Sequence, residues 1–459
     1  MKGDMTQGNI SKVLITFAVP MALGNVFQQL YNTTDAIIVG RLLGKNALAA
    51  VGVANPVMSI AIFFIAGMCI GISVLESQFF GAEKYKLLKR EVSTALLSGL
   101  GFTLVLSVVF IFISKWVLLI TGTPIEILED ANIYLKIIFS GLIFSYLYNF
   151  CSTSLMAIGD SKTPLICLII SCVLNGILCI LFIAVFKLGV AGSAMATVAA
   201  QCISSLLCIG YVYMKIPIIR LNVGEFTIDK NLLLQTIQYS WVSSLQQISL
   251  YIGKLLVQGA VNPFGTNAIA AFNSVTRVDA LVLGPGDSLA ASTATFCAQN
   301  KGGRKWHRII EGYKTSNMII TAYCTAMALI VFFRAQQIMG MFISGSESEV
   351  IMLGVKYLKL MCIFYILSGF CNIFQGLFRG AGLLKITFIA TILQMTVRVG
   401  LSYALAAHLG LQSVCYAVAA GWVCMIIYEG LCSKKYFNEL RRSMKSELCS
   451  QAENEFCSS

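Results

Sequence analysis

Long apolar stretches separated by short polar joints run the length of the chain, and the stretches share a common size. Each is roughly 20 residues or more, enough to cross about 30 Å of hydrocarbon. Six fall in the first half, at 13–39, 47–75, 92–120, 133–157, 163–186 and 189–214. Six more follow at 234–260, 268–297, 314–343, 352–378, 384–407 and 410–433. Runs this uniformly apolar predict membrane-spanning helices, because a backbone in lipid must satisfy its own hydrogen bonds. A β-barrel would read instead as short segments alternating apolar and polar positions. The expected fold is an all-α polytopic membrane bundle of about twelve helices.

The two sets of six are copies. NALAA at 46–50 returns as NAIAA at 267–271, a shift of 221 residues. At the same shift, Gln78 and Gly81 meet Gln299 and Gly302, Gly159 meets Gly380, and Leu188-Gly189 meets Leu409-Gly410. A fixed offset across such spaced landmarks is the mark of a tandem repeat. In membrane proteins, repeated halves build a binding site that neither half forms alone. The expected organisation is an N-lobe at 1–214, a linker at 215–233, a C-lobe at 234–433 and a tail at 434–459. The tail is polar and expected to be loosely ordered.

Composition strengthens this picture. Hydrophobic residues make up 57% of the 459 and charged residues only 12%, half the share of about 25% usual in soluble proteins. A soluble chain of this length has no interior large enough for that much apolar surface. The net charge of +12 could suggest nucleic acid, but its location excludes that reading. With the N-terminus inside, inner loops carry Lys84, Lys86, Lys89, Arg90, Lys215, Arg220, Arg304, Lys305 and Arg308. Outer segments 121–132 and 344–350 hold acids and no Lys or Arg. That bias puts both termini in the cytoplasm and the protein in the cell membrane. The stretches 81–91 and 302–313 read as short basic amphipathic segments lying on the inner surface.

The 16 cysteines are scattered, mostly within spans, and show neither zinc spacing nor a pairing pattern. The first span carries Pro20 and Asp35 and lacks a small-residue cleavage site, so it reads as a retained span. There is no GxxxxGK[ST] phosphate loop, which argues against an ATP-driven pump. The two histidines, His307 and His408, have no nucleophile or metal partner in the pattern. No enzyme chemistry and no organic cofactor are expected.

Ionisable residues inside spans carry the functional signal, since each costs at least about 2.5–3.5 kcal/mol at mid-bilayer. Asp35 leads, within QQLYNTTDAIIVG. Tyr31 is one turn earlier on the same face, with Gln28 and Asn32 nearby. Such a carboxylate could exchange a proton or hold Na⁺ with neighbouring oxygens. Alternatively Asp35 sits near the outer surface and caps the helix. Asn149, Asn175 and Thr197 mark spans four to six, each open to a ligand role or an interhelical hydrogen bond. In the second half Gln246 and Gln247 replace Gln28 and Gln29, and no acid replaces Asp35. Lys254, Arg277, Asp279, Asp287 and Arg398 are the charged residues there. Arg277 and Asp279 read as structural neutralisation through other spans; Asp287, in GPGDS beside a helix break, could line a cavity.

On these residues the chain resembles the multidrug and toxic compound extrusion (MATE) transporters over about residues 8–435. The strings are Asp35 followed by VGRLLG and NALAAVG, then SQFFGAEK, AIGDSKTP, LGVAGSAMAT, FCAQNKGG and LFRGAG. The resemblance implies two six-helix lobes related by a pseudo-two-fold axis along the membrane normal. It implies alternating access driven by H⁺ or Na⁺, and export of bulky, often cationic amphiphilic compounds by a monomer. In the DinF-like branch, the N-lobe site falls on Asp35, Tyr31, Asn149, Asn175 and Thr197. A further acid of that site falls on Cys179, so Asp35 stands as its single carboxylate. Another branch's C-lobe acids fall on Gln246 or Gln247 and on Ser368. One acid favours H⁺ over a Na⁺ site at Asp35. The alternative function is a lipid-linked or polysaccharide flippase of the same superfamily, for which Lys254, Arg277 and Arg398 would supply the cavity cations. A receptor or scaffold would not need Asp35.

Overall fold

The computed structural model describes residues 3–343 and 347–458, and its described residues form helices and no strand. Residues 344–346 of the acidic segment lie outside the described residues. The first repeat holds α1 (Ile10–Leu43), α2 (Lys45–Gly81), α3 (Tyr85–Ile120), α4 (Ile125–Ser140), α5 (Leu142–Ala157), α6 (Lys162–Ile180) and α7 (Gly189–Lys215). The second holds α8 (Lys230–Val261), α9 (Thr266–Gly302), α10 (Trp306–Phe342), α11 (Ser348–Ile363), α12 (Tyr365–Gly380), α13 (Leu384–Leu409) and α14 (Gln412–Ser458). The expected fourth and tenth spans are bent pairs: α4 and α5 meet at 47°, α11 and α12 at 50°. Among the described residues eight helices are long and apolar enough to cross a membrane, and ten if each bent pair is one span. α8 and α9 are as long but carry the more polar positions, including Gln246, Gln247, Arg277, Asp279 and Asp287. Large apolar side chains point outward along the helices, as at Phe112, Trp116 and Ile120 of α3. This is the surface a bilayer covers.

Three expectations change. The basic stretches 81–91 and 302–313 are not separate surface segments. They are tight turns at Glu83 and Arg304, both with φ near +55°, that run directly into α3 and α10. The tail is helical: α14 continues past the span as one helix, through a NELRRSMKSEL stretch of good helix formers. The partner of Gly159 is Gly382 rather than Gly380. Both close the turn after a bent span with φ of 91° and 75°, in the region glycine occupies without strain. The second repeat is thus longer by two residues before this turn. The 221-residue offset is restored at Gly189 and Gly410, with φ of 59° and 56°.

The helices form two compact units that do not coincide with the repeats. Unit 1 holds Gly3 and Pro20–Ile248; unit 2 holds Asp4–Val19 and the chain from Ser249 onward. Each unit is therefore completed by the opening helix of the other repeat. In unit 1 the first half of α8 lies against α2 across Gly67 and Gly71. A Cβ on Gly67 would stand 2.5 Å from the Ser244 Cα, and one on Gly71 2.5 Å from the Tyr239 carbonyl carbon. Backbones this close admit hydrogen bonds across the seam. The Ser244 hydroxyl donates to the Phe64 carbonyl at 2.8 Å, and the Ser240 hydroxyl to that of Met68 at 3.2 Å. In unit 2 the first half of α1 meets Ser292, the position equivalent to Gly71. The Ser292 hydroxyl donates to the Leu14 carbonyl at 2.9 Å.

The segments preceding these helices are anchored in the same exchanged way. The Met5 amide donates to Gln299 at 2.9 Å, and Lys305 donates to both oxygens of Thr6 at 3.0 Å. Arg308 reaches the carbonyls of Met5, Gln7 and Gly8 at 3.1–3.3 Å. In unit 1 the Thr227 amide donates to Ser93 at 2.7 Å, and that of Asp229 to Thr94 at 3.1 Å. Lys89 pairs with Glu225 at 2.9 Å. The Asn222 amide and then Lys89 hold the Glu225 carboxyl below its usual range.

Candidate functional site

Three helices of unit 1 each present a pair of residues one helical turn apart: Tyr31 and Asp35 on α1, Asn175 and Cys179 on α6, Ser193 and Thr197 on α7. Because α6 and α7 run antiparallel, the pairs stack into two layers about 6 Å apart, four residues at 1.5 Å each. In one layer Thr197 Oγ1 accepts from the Tyr31 hydroxyl at 3.3 Å and from Asn175 Nδ2 at 3.4 Å. In the other, Asp35 accepts from the Ser193 hydroxyl at 3.3 and 3.5 Å and from the Cys179 thiol at 3.6 Å. Tyr134 of α4, 2% exposed, lies within electrostatic reach of Asp35, Tyr31 and Cys179. Directly after Cys179 the helix widens into a π turn at Leu181–Val185, a local form often found at functional sites.

Asp35 receives only long contacts from a hydroxyl and a thiol. Among the described residues no Lys, Arg or His pairs with it; the ion pairs are Lys89–Glu225, Arg90–Asp229 and His307–Glu311. A half-buried carboxylate without a basic neighbour is stable in two ways: with a proton, or with a cation from outside. The ligands on offer are one carboxylate, hydroxyls, an amide and a thiol. Among the described residues no group of three or more His, Cys, Asp or Glu is placed to hold a metal ion.

The structure brings Asp35, Tyr31, Asn175, Cys179 and Thr197 together. It does not bring in Asn149, whose amide donates at 2.8 Å to the Ser145 carbonyl of its own helix. Gln28 and Asn32 are exposed on α1. Gln246 is buried and Gln247 half-buried in the part of α8 that belongs to unit 1. Ser193 and Tyr134 were missed. Ser193 was legible in principle, four residues before Thr197 in GSAMAT; Tyr134 was not, because only the bend after Ser140 sets the course of α4.

Unit 2 differs in kind. Asp279 accepts from the Tyr365 hydroxyl at 2.6 Å, within electrostatic reach of Arg398. Asp287 is exposed, accepts from Asn372 at 2.8 Å, and lies in the field of Lys254 and Arg379. Its acids therefore have basic neighbours where Asp35 has none. Three more acids were not singled out from the sequence. Glu76, Glu91 and Glu429 are buried and bonded to Ser154 at 2.9 Å, Thr236 at 2.7 Å and Gln375 at 2.6 Å.

A duplicated bundle of membrane-crossing helices with polar side chains gathered inside one unit defines a multi-pass membrane protein of transporter type. The MatE family model matches residues 20–181 and again 243–404, so the chain belongs to the MATE family, a family of transporters and not of enzymes. It is 28% identical over 379 residues to the probable multidrug resistance protein YpnP of Bacillus subtilis (strain 168), covering 83% of this chain and 84% of that protein. It is 29% identical to the probable multidrug resistance protein YoeA of the same organism, over 80% of both chains. Among solved structures, a MATE protein in complex with MaL6 superposes with a TM-score of 0.90 at 24% identity, over 96% of this chain and 100% of that one.

Proposed function

We propose that the protein is a cation-coupled antiporter that exports bulky, often cationic amphiphilic compounds by alternating access. The YpnP and YoeA relatives are named as probable multidrug resistance proteins, which supports multidrug export here. The observation that carries the coupling is Asp35, a carboxylate within the span region whose neighbours are uncharged. A group that holds either a proton or a cationic substrate, but not both, couples the two flows by competition. The membrane potential supplies about 2.3 kcal/mol per charge per 100 mV. H⁺ is favoured over Na⁺ because a hard cation prefers several oxygens, and a thiol occupies one place beside Asp35. The basic loops support a plasma-membrane protein with both termini in the cytoplasm. The unit 2 cations stand near Asp279 and Asp287, which weighs against a flippase cavity built for an anionic headgroup.

The test is efflux of a fluorescent cationic dye from cells expressing the wild type or Asp35→Asn, with and without Na⁺ and with a protonophore. Expected is efflux that needs Asp35 and collapses with the protonophore when Na⁺ is absent. Normal efflux by a well-inserted Asp35→Asn protein would end the coupling mechanism. No efflux by the wild type would point to another substrate class.

A further inference from the structure

Unit 1 contains an apolar slot that its own side chains do not fill. α3 and α7 both pack on α5, which forms the floor between them. The cavity of about 230 Å³ is walled by Leu96 and Leu100 of α3, Leu147 and Phe150 of α5, and Ile209 of α7. At about 30 Å³ per water-sized group it has room for roughly eight methylenes. The wall's Ser154 hydroxyl already donates to Glu76 at 2.9 Å, so it asks nothing of an occupant. One end is bordered by Ile219 and Leu221, both buried, from the segment after α7. Arg220 between them donates to the carbonyl of Tyr213, another wall residue, at 3.4 Å. Lys215 at the end of α7 is exposed. The nearby acid Glu225 is already paired with Lys89.

The second repeat shows what belongs in this space. There Tyr313 stands where the first repeat has Val92 of the slot wall. Its ring lies 5.6 Å from Phe374 and 5.2 Å from Phe437. Tyr436 adds contacts to Phe378 at 6.4 Å and Phe437 at 6.1 Å. Tyr436 and Phe437 sit on α14 where the first repeat has Lys215 and Ile216. Unit 2 thus fills the position with its own aromatic rings. Unit 1 ends α7 there and leaves it open.

We propose that the slot between α3 and α7 holds an acyl chain of a bilayer phospholipid, with the anionic headgroup at Lys215 and Arg220. An unfilled apolar void costs its walls their dispersion contacts, and α3 and α7 both carry bilayer-facing side chains such as Val105 and Leu206. The surrounding bilayer therefore supplies the occupant. The two cations lie beside the Ile219–Leu221 end of the slot, in sequence next to its lining residues, where a chain lying along the slot would bring its phosphate.

The test uses the full chain in phosphatidylcholine vesicles doped with phosphatidylglycerol that carries a photoreactive diazirine on its acyl chain. After irradiation, adducts are mapped by peptide mass spectrometry. Expected are adducts enriched several-fold at 92–100, 147–154 and 209–221 over the bilayer-facing run 102–113. They are lost in Leu100→Trp, or in Leu147→Phe should the first variant not stay monodisperse. The double variant Lys215→Ala/Arg220→Ala should remove the preference for the phosphatidylglycerol probe over a phosphatidylcholine probe of the same chain. Uniform labelling of all lipid-facing helices would overturn the proposal, as would undiminished labelling of both filled variants. Displacement of the adducts by a transported dye would assign the slot to substrate and refute the lipid.

Discussion

Asp35 shows how a residue's meaning depends on what stands one turn away on two other helices. The sequence pattern singles it out because a carboxylate in a span is costly. It does not reveal that Ser193 and Cys179 are its neighbours, since that follows from the antiparallel course of α6 and α7. Asn149 illustrates the converse: its polarity in a span drew attention, but a bond to its own helix accounts for its amide. The Cys179 contact gives a direct prediction. Cys179→Asp would set a second carboxylate against Asp35, and export should then gain Na⁺ dependence, read as dye efflux against Na⁺ concentration. An unchanged Na⁺ response would mean that the position does not take part in cation binding. Tyr31→Phe removes one neutral hydrogen bond to Thr197, an interaction of about 1 kcal/mol. Its expected effect is a loss of roughly fivefold in apparent dye affinity, with maximal efflux preserved; an unaltered concentration dependence would remove Tyr31 from the site.

At the scale of elements, although α3, α10 and α14 run well beyond the apolar runs that marked them, the apolar spans were legible because lipid leaves helices few alternatives. The breaks at Gly141 and Phe364 were not, since each interrupts an apolar run without a proline. The Gly159–Gly382 register was also missed, because FRGAGL offers two glycines and only a positive φ tells them apart. Gly67 and Gly71, two glycines within the apolar α2, are where that helix receives α8. Gly67→Val would drive a side chain into the Ser244 backbone. Overpacking of this kind costs about 1–3 kcal/mol. The expected result is a clearly lower melting temperature in detergent, with Gly52→Ala, where nothing lies within 4 Å, melting near the wild type. Equal melting of the two variants would mean that the α2–α8 seam yields without cost.

For the whole molecule, duplication was readable from spaced landmarks, but the mixing of the repeats was not. Nothing in the residues of α1 says that Val19 belongs to one unit and Pro20 to the other. The division reflects packing partners such as Leu14 with Ser292 and Ser240 with Met68, pairs far apart in the chain. A proline at the crossing is consistent with a helix that changes surroundings there, since it removes one backbone bond. The chain divided at 222/223 should therefore not give two independent halves. Residues 1–222 made alone would lack the α8 half that covers Gly67 and Gly71, and are expected to be degraded. Co-expression of both pieces should restore a complex that purifies as one species. Stable, monodisperse accumulation of 1–222 alone would show that the exchange is dispensable.

The exchange of opening helices also sets an order in time. Met5 and Thr6 leave the ribosome long before the side chains that hold them, since Gln299, Lys305 and Arg308 follow about 300 residues later. At synthesis rates of about 5–20 residues per second, this is a wait of roughly 15–60 s. Throughout it, the first half of α1 is in the membrane without its neighbours, while unit 1 closes only after the chain has passed Ile248. Biogenesis is thus paced by the length of chain that separates these partners. A stalled or truncated chain strands an unpaired opening helix, which the membrane's quality-control proteases can recognise.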